Sequence, residues 1–241
     1  MNSHFPQKAM LLAAGLGERL RPLTLTTPKP LIEVGEKSLI EYNLDLLKKF
    51  GIGEVVINLF HLGEQIEAQL GNGLKFDFKI SYSKEKILMG TGGGLKQAEQ
   101  YFDSTFVMLN ADVLIDADLK ALFELHQRHN ALATLLVSGV EREDVKRKVY
   151  LDDDGKIVAI SELDPSHSPL PQGERGRIFT GLQILEPEIF SYLPANHVCS
   201  IIDEAYLPAL AQGKTLAGLT HPGYFHDVGS FDRLEEVRRI F

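Results

Sequence analysis

The stretch Leu12–Leu31, LAAGLGERLRPLTLTTPKPL, decides how the whole chain reads. It overlaps a wholly apolar run, Ala9–Ala14, which predicts a strand buried on both faces of a sheet. Gly15 and Gly17 carry no side chain, so a phosphate chain can come close to their backbone N–H groups. Arg19, Arg21 and Lys29 gather positive charge in this one loop, and Pro22, Pro28 and Pro30 stiffen it, with Lys29 held between two of the rings. A rigid cationic loop at the C-terminal end of a first strand is where open α/β sheets take their ligands. Leu20 stands where a dinucleotide fingerprint needs its third glycine, and no Gly-Lys-Ser/Thr ending makes a Walker A loop. A nicotinamide enzyme also needs an acidic residue ending the second strand, where Asn58-Leu59 stand instead.

That loop sits in an acidic chain. The 241 residues carry 25 Lys plus Arg against 33 Asp plus Glu, a formal charge of −8. Such a balance argues against nucleic acid or an anionic membrane surface as partner. Cys199 is the single cysteine and has no internal partner for a disulfide; Met1–Lys8 lacks the pattern of a signal peptide, so a cytoplasmic setting is expected. No apolar run approaches the roughly 20 residues of a membrane span. With 44% hydrophobic and 24% charged residues, the composition is that of a globular protein.

Strand and helix patterns alternate through the first 140 residues. Glu54–Leu59, Phe76–Tyr82, Thr105–Leu109 and Ala131–Val140 read as strands. Leu39–Phe50, stopped by Gly51, reads as a helix, as do Gly63–Leu70, Leu95–Tyr101 behind a Gly-rich opening, and the helix capped by Asp118. The rest predicts a hairpin around Asp152-Asp153-Asp154-Gly155, a loop over Asp164–Arg177, strands at Ile178–Leu185 and Thr215–Leu219, and helices at Ile201–Ala211 and Asp232–Phe241. The fold class expected is α/β, Rossmann-like: a mostly parallel mixed sheet with helices on both faces. One domain over 1–241 is expected, a nucleotide-binding half in 1–140 followed by a mixed half in 141–241.

LAAGLGERLRPLTLTTPKPL resembles the G-x-G-x-R-x-x-P-x-T-…-P-K-P signature of the sugar-1-phosphate nucleotidyltransferases, whose fold is GT-A-like. The resemblance continues through GTGGGL (Gly90–Leu95), LNADV (Leu109–Val113), FTGLQIL (Phe179–Leu185) and HDVGS (His226–Ser230), in order and across nearly the whole chain. It is strongest to the short N-acetylmuramate-1-phosphate uridylyltransferases of cell-wall recycling. The implied reaction joins an NTP to a sugar 1-phosphate and releases pyrophosphate, in a monomer or homodimer. The implied nucleotide site comprises Leu12, Ala13, Gly15, Gly17, Glu18, Arg19, Lys29, Gly92 and Asn110, with Arg19, Lys29 and Asp112 as its catalytic residues. Glu162 and Gly181 belong to the sugar-phosphate half. His61–Leu70 is similar to the uridylyltransferases, whereas Gly90 is more like the guanylyltransferases that use mannose-type (or heptose) 1-phosphates. Many relatives carry a Glu-Lys-Pro lysine on the sugar phosphate; here the stretch is Ser161-Glu162-Leu163-Asp164-Pro165, so Arg175, Arg177 or Lys148 is expected to replace it.

The residue chemistry agrees with this resemblance. Asp112 ends a predicted buried strand and Asp227 lies far downstream before Val228-Gly229. Two carboxylates from separate elements converging on one point are a common way to hold a Mg²⁺ that also binds substrate phosphates. His126 and His129 sit three apart on a predicted helix with no acidic or cysteine partner to give them metal-site context, Cys199 reads as a small buried hydrophobe, and His61 is expected to pack rather than line the cleft. A non-catalytic sugar-nucleotide-binding protein of the same fold is the rival reading. It would be free to lose Arg19, Lys29, Asp112 or Asp227, and all four are present.

Overall fold

The structure is a computed structural model that describes residues 4–140, 145, 147–162 and 176–241, the Glu162 side chain excepted. β1 (Lys8–Leu12) is an interior strand of the main sheet, with Ala9, Met10 and Leu11 fully buried. After it the chain makes three short 3₁₀ turns, then a two-residue hairpin, β2 (Glu33–Val34) and β3 (Lys37–Ser38), which leads into α1 (Leu39–Lys49). Glu41 Oε2 reaches back to the Ser38 N–H at 2.8 Å, closing the first turn of α1. Then follow β4 (Glu54–Leu59), α2 (Gly63–Leu70), β5 (Lys79–Lys84), α3 (Gly90–Gln97), β6 (Phe106–Asn110), β7 (Val113–Ile115), α4 (Leu119–His129) and β8 (Ala133–Ser138). The hairpin β9 (Arg147–Leu151) and β10 (Ile157–Glu162), then β11 (Ile178–Leu185), α5 (Leu207–Ala211), β12 (Leu216–His221), β13 (Phe225–Asp227) and α6 (Phe231–Ile240) complete the chain.

The main sheet has seven strands in the order β12-β8-β11-β6-β1-β4-β5. All neighbours pair parallel except β11, which runs antiparallel between β6 and β8. The expected mixed, mostly parallel sheet is therefore present. Side chains alternate between its faces at period two. Leu11, Ile57 and Leu109 meet α1, α2 and α4 on one face; Met10, Val56 and Met108 meet α3 and α5 on the other. Among the described residues no helix is long and apolar enough to cross a membrane.

Three elements differ from the sequence reading for identifiable reasons. Gly90–Gly94 lies inside α3 rather than ahead of it, because its bare backbone packs against Cys199: the Gly92 N–H donates to Cys199 O at 2.9 Å. The strand expected at Phe76–Tyr82 starts at Lys79, since Gly73 and Asp77 take left-handed conformations around a 3₁₀ turn. The helix expected over Ile201–Ala211 opens with a π turn at Ile202–Tyr206, where Pro208 lacks the N–H of a regular ladder.

Candidate active site

Three parallel strands end side by side, with Leu12 in register with Asn58 on β4 and with Asn110 on β6. Beyond these ends lies a cleft of about 290 Å³, bounded on one side by Leu12–Gly15 and Lys29, and on the other by Leu88, Gly90 and Thr91. Asn58, Asn110 and Asp112 also line it. Asn58 Oδ1 accepts the Ala13 N–H at 2.7 Å, and the Ala111 N–H donates to Leu12 O at 3.0 Å. The strand ends are thus tied where the chain leaves the sheet.

The loop after β1 is built as a stiff cradle. Gly17 has φ +61°, and a Cβ there would stand 2.7 Å from Thr24 Cγ2. The Thr24 hydroxyl donates to Gly17 O at 2.9 Å and folds the loop onto itself. His61 Nε2 lies 2.7 Å from Thr24 O and the Gln65 amide donates to Thr26 O at 3.0 Å, so α2 and the residues before it anchor the loop. His61 supports the loop rather than merely packing. Arg19 and Glu18 stay exposed, Glu18 pairing with Arg21 at 3.3 Å.

Lys29 turns inward and is only 9% exposed. Its ammonium donates to Asp112 Oδ2 and lies 3.9 Å from Asp227 Oδ1. Asp227 reaches this point because β13 pairs antiparallel with β7, placing it opposite Val113, while the Val228 N–H donates to Asp112 O at 3.2 Å. The other Asp227 oxygen, Oδ2, pairs with Arg233 Nη1 at 3.0 Å. A Cβ on Gly229 would meet Arg19 Nη2 at 2.6 Å and Asp227 Oδ1 at 3.1 Å, so the Arg19 guanidinium and Asp227 flank this glycine. Residues from Arg19 to Arg233 therefore form one cluster of two carboxylates and three cations, on the rim of the cleft.

The Nucleotidyl transferase family profile matches residues 8–240. The chain belongs to this family. Over 238 residues it is 36% identical to the N-acetylmuramate alpha-1-phosphate uridylyltransferase of Neisseria meningitidis, covering 97% of each chain. It is 38% identical over 203 residues to a UTP–glucose-1-phosphate uridylyltransferase of Synechocystis, and 33% identical over 226 residues to a mannose-1-phosphate guanyltransferase of Yarrowia lipolytica. It spans 51% and 60% of the length of those two proteins. A UDP-glucose pyrophosphorylase solved with UDP-glucose superposes with a TM-score of 0.79 at 24% identity, over 98% of both chains, which establishes the shared fold.

In this nucleotidyl transferase the expected nucleotide-site residues Leu12, Ala13, Gly15, Lys29 and Asn110 line one cleft together with Asp112. Gly92 lies beneath the far wall, packed on Cys199. Gly181 sits at a register shift of β11 with φ +88°, and a Cβ there would stand 2.5 Å from Asn110 Nδ2. It keeps room for Asn110. The Glu162 side chain, and Arg175 with most of the Asp164–Arg177 loop, lie outside the described residues. Arg177 lines a separate groove with Arg128 and Asp152, and Lys148 is buried on β9, so neither stands among the residues lining the cleft. His126 bonds Thr134 and Glu186, an acidic partner from beyond β11 that the local sequence does not reveal.

Asp112 and Asp227 fit a Mg²⁺. They offer hard oxygens on either side of a point where an ammonium already sits as the cation. Among the described residues no group of three or more His, Cys, Asp and Glu side chains could hold a metal by itself. Mg²⁺ is commonly held by one or two carboxylates that share the ion with substrate phosphates. Sequence reasoning missed Arg233, Thr24, and the buried Glu85 that faces Asn58. Thr24 lies inside the quoted Leu12–Leu31 stretch, but its hydroxyl bond back to Gly17 O is a feature of the folded loop; Glu85 and Arg233 lie outside the quoted motifs and gain their places through the fold.

Proposed function

We propose that this chain transfers a uridylyl group from UTP to N-acetylmuramate 1-phosphate, forming the UDP-sugar and pyrophosphate. The observation that carries the reaction class is the Lys29–Asp112–Asp227 cluster beside a cleft lined by Leu12–Gly15. The nucleophile is an oxygen of the sugar phosphate, already ionised near neutral pH because its second pKa is about 6. It attacks the α-phosphorus, and the bond from that phosphorus to the bridging oxygen of pyrophosphate breaks. No proton has to be removed, so no general base is called for.

Alignment and charge are the protein's tasks. Lys29 carries three donors, so it can keep Asp112 and still donate to the α-phosphate and the incoming phosphate. Arg19, exposed beside the glycine loop, offers a planar donor fork to the β- and γ-phosphates. Gly15 and Gly17 admit the triphosphate to backbone N–H groups. Arg233 fixes Oδ2 of Asp227, while Oδ1 lies on the Lys29 side. A Mg²⁺ held by Asp112 and Asp227, when bound, supplies further neutralisation of the phosphates. Glu162 and Gly181 are assigned to the sugar-phosphate side.

The choice of UTP and this sugar is supported by the full-length likeness to the Neisseria uridylyltransferase. Gly90, together with the Yarrowia relative, supports GTP with a mannose-type 1-phosphate as the second reading. A pyrophosphate-release screen of the common NTPs against a panel of sugar 1-phosphates separates them. UTP with N-acetylmuramate 1-phosphate is expected to give the highest kcat/KM; a clear preference for GTP and mannose 1-phosphate would replace the uridylyl assignment.

A further inference from the structure

The two walls of the cleft are joined by a buried chain of hydrogen bonds that the reaction chemistry does not use. The Ala13 N–H donates to Asn58 Oδ1 at 2.7 Å. Asn58 Nδ2 donates to Glu85 Oε1 at 2.7 Å, and Glu85 Oε2 accepts the Met89 N–H at 2.8 Å. Asn58 is 3% and Glu85 8% exposed, so water offers little substitute for these partners. Ala13 begins the phosphate-loop wall; Met89 leads into Gly90 and Thr91 on the opposite wall. Room for the chain is made by Gly94, where a Cβ would stand 2.6 Å from Glu85 Oε1 and 2.8 Å from Asn58 Nδ2.

The polarity of this chain is fixed by its acceptor-only member. An ionised carboxylate accepts and never donates, so both Glu85 oxygens require donors. That requirement turns the Asn58 amide nitrogen toward Glu85 and leaves its oxygen to the Ala13 N–H. A neutral side chain at 85 cannot meet both demands. With Gln at 85, an oxygen facing Asn58 sets the new NH₂ against the Met89 N–H. Turned over, the new NH₂ meets Asn58, which must flip and set its own NH₂ against the Ala13 N–H. One backbone donor is left unsatisfied in either case, which is costly in a buried site. Burial pushes the Glu85 carboxyl up from its ordinary range, and the hydrogen bonds from Met89 and Asn58 oppose that shift.

We infer that Glu85 and Asn58 are positioning residues for the nucleotide, a charged strut whose donor–acceptor polarity sets the spacing of the two cleft walls. This rests on the reading of the cleft as the NTP site. The geometry makes a specific demand on variants. Exchanging the two functional groups, Glu85→Gln with Asn58→Asp, restores every pairing: Ala13 N–H to Asp, Gln NH₂ to Asp, and Met89 N–H to Gln oxygen. Side-chain lengths stay the same.

The test measures amide exchange at Ala13 and Met89 by NMR in the full chain, and steady-state KM and kcat for UTP, in wild type, Glu85→Gln and the exchanged pair. Glu85→Gln is expected to raise the KM for UTP about tenfold or more, to change kcat less than threefold, and to lose protection at one of the two amides. The exchanged pair is expected to regain protection at both amides and to return KM to within about threefold of wild type. Glu85→Gln with an unchanged KM overturns the inference, as does an exchanged pair that folds no better or stays as unprotected as the single variant. If Glu85→Gln itself fails to fold, recovery of folding and amide protection in the exchanged pair is the supporting result, and its absence the contrary one. Wild type that turns over no NTP, yet protects both amides and loses that protection in Glu85→Gln, would count against the proposed function and leave the strut standing.

Discussion

Lys29 is the residue on which the site turns, since its ammonium lies between carboxylates contributed by distant parts of the chain. Lys29→Ala and Arg19→Ala are each expected to lower kcat/KM by about 10²-fold or more, the usual consequence of removing one preorganised charge-stabilising donor. The fold is expected to survive both changes. Arg19 is exposed, and the Asp112 and Asp227 side chains are 30% and 28% exposed, so water can reach the carboxylates that Lys29 leaves behind. Pyrophosphate-release kinetics with circular dichroism on the same samples check this; near-wild-type turnover by either variant removes that residue from the mechanism. Lys29, Asp112 and Asp227 were legible in the sequence because each sits in a stretch with an unusual residue pattern. Glu85 and Arg233 were not. A glutamate after a strand and an arginine in the first turn of a helix look like solvated surface until β4, β5 and β13 place them beside Asn58 and Asp227.

At the scale of elements, α3 opposes helix propensity to packing. Gly→Ala inside a helix ordinarily gains about 0.5–1 kcal/mol, but the Gly94 Cβ would press on both members of the Asn58–Glu85 pair. Gly94→Ala is therefore expected to lose about 1–3 kcal/mol, the cost of forced displacement in a packed interior. Urea unfolding measures it, and a variant more stable than wild type would contradict the packing account. The same helix shows where sequence reading stops. Four glycines in Gly90–Gly94 read as a loop opening, because propensity contains no term for the backbone of Cys199 lying against them. β11 is a second case. Its apolar pattern marked a strand with the right ends, yet periodicity does not encode direction, and only the structure shows it running antiparallel between β6 and β8.

The whole molecule is an acidic protein, formal charge −8, in which Lys29, Arg19 and Arg233 nevertheless gather around Asp112 and Asp227 beside the cleft, as the proposed binding of phosphates requires. Two carboxylates in that cluster make sense with a divalent cation between them and the phosphates. Turnover is accordingly expected to fall to background in excess EDTA and to return with Mg²⁺, while Asp112→Asn and Asp227→Asn raise the Mg²⁺ concentration required. Undiminished rates in EDTA would exclude that role for the pair. The central claim, nucleotidyl transfer to a sugar 1-phosphate, is tested most directly by product analysis. Purified protein is incubated with UTP, N-acetylmuramate 1-phosphate and Mg²⁺, and both products are quantified by mass spectrometry and pyrophosphate assay. The account predicts UDP-sugar and pyrophosphate in equal amounts, both abolished in Lys29→Ala. Absence of that stoichiometric pair from every combination of the common NTPs and sugar 1-phosphates, with the protein folded, would contradict it.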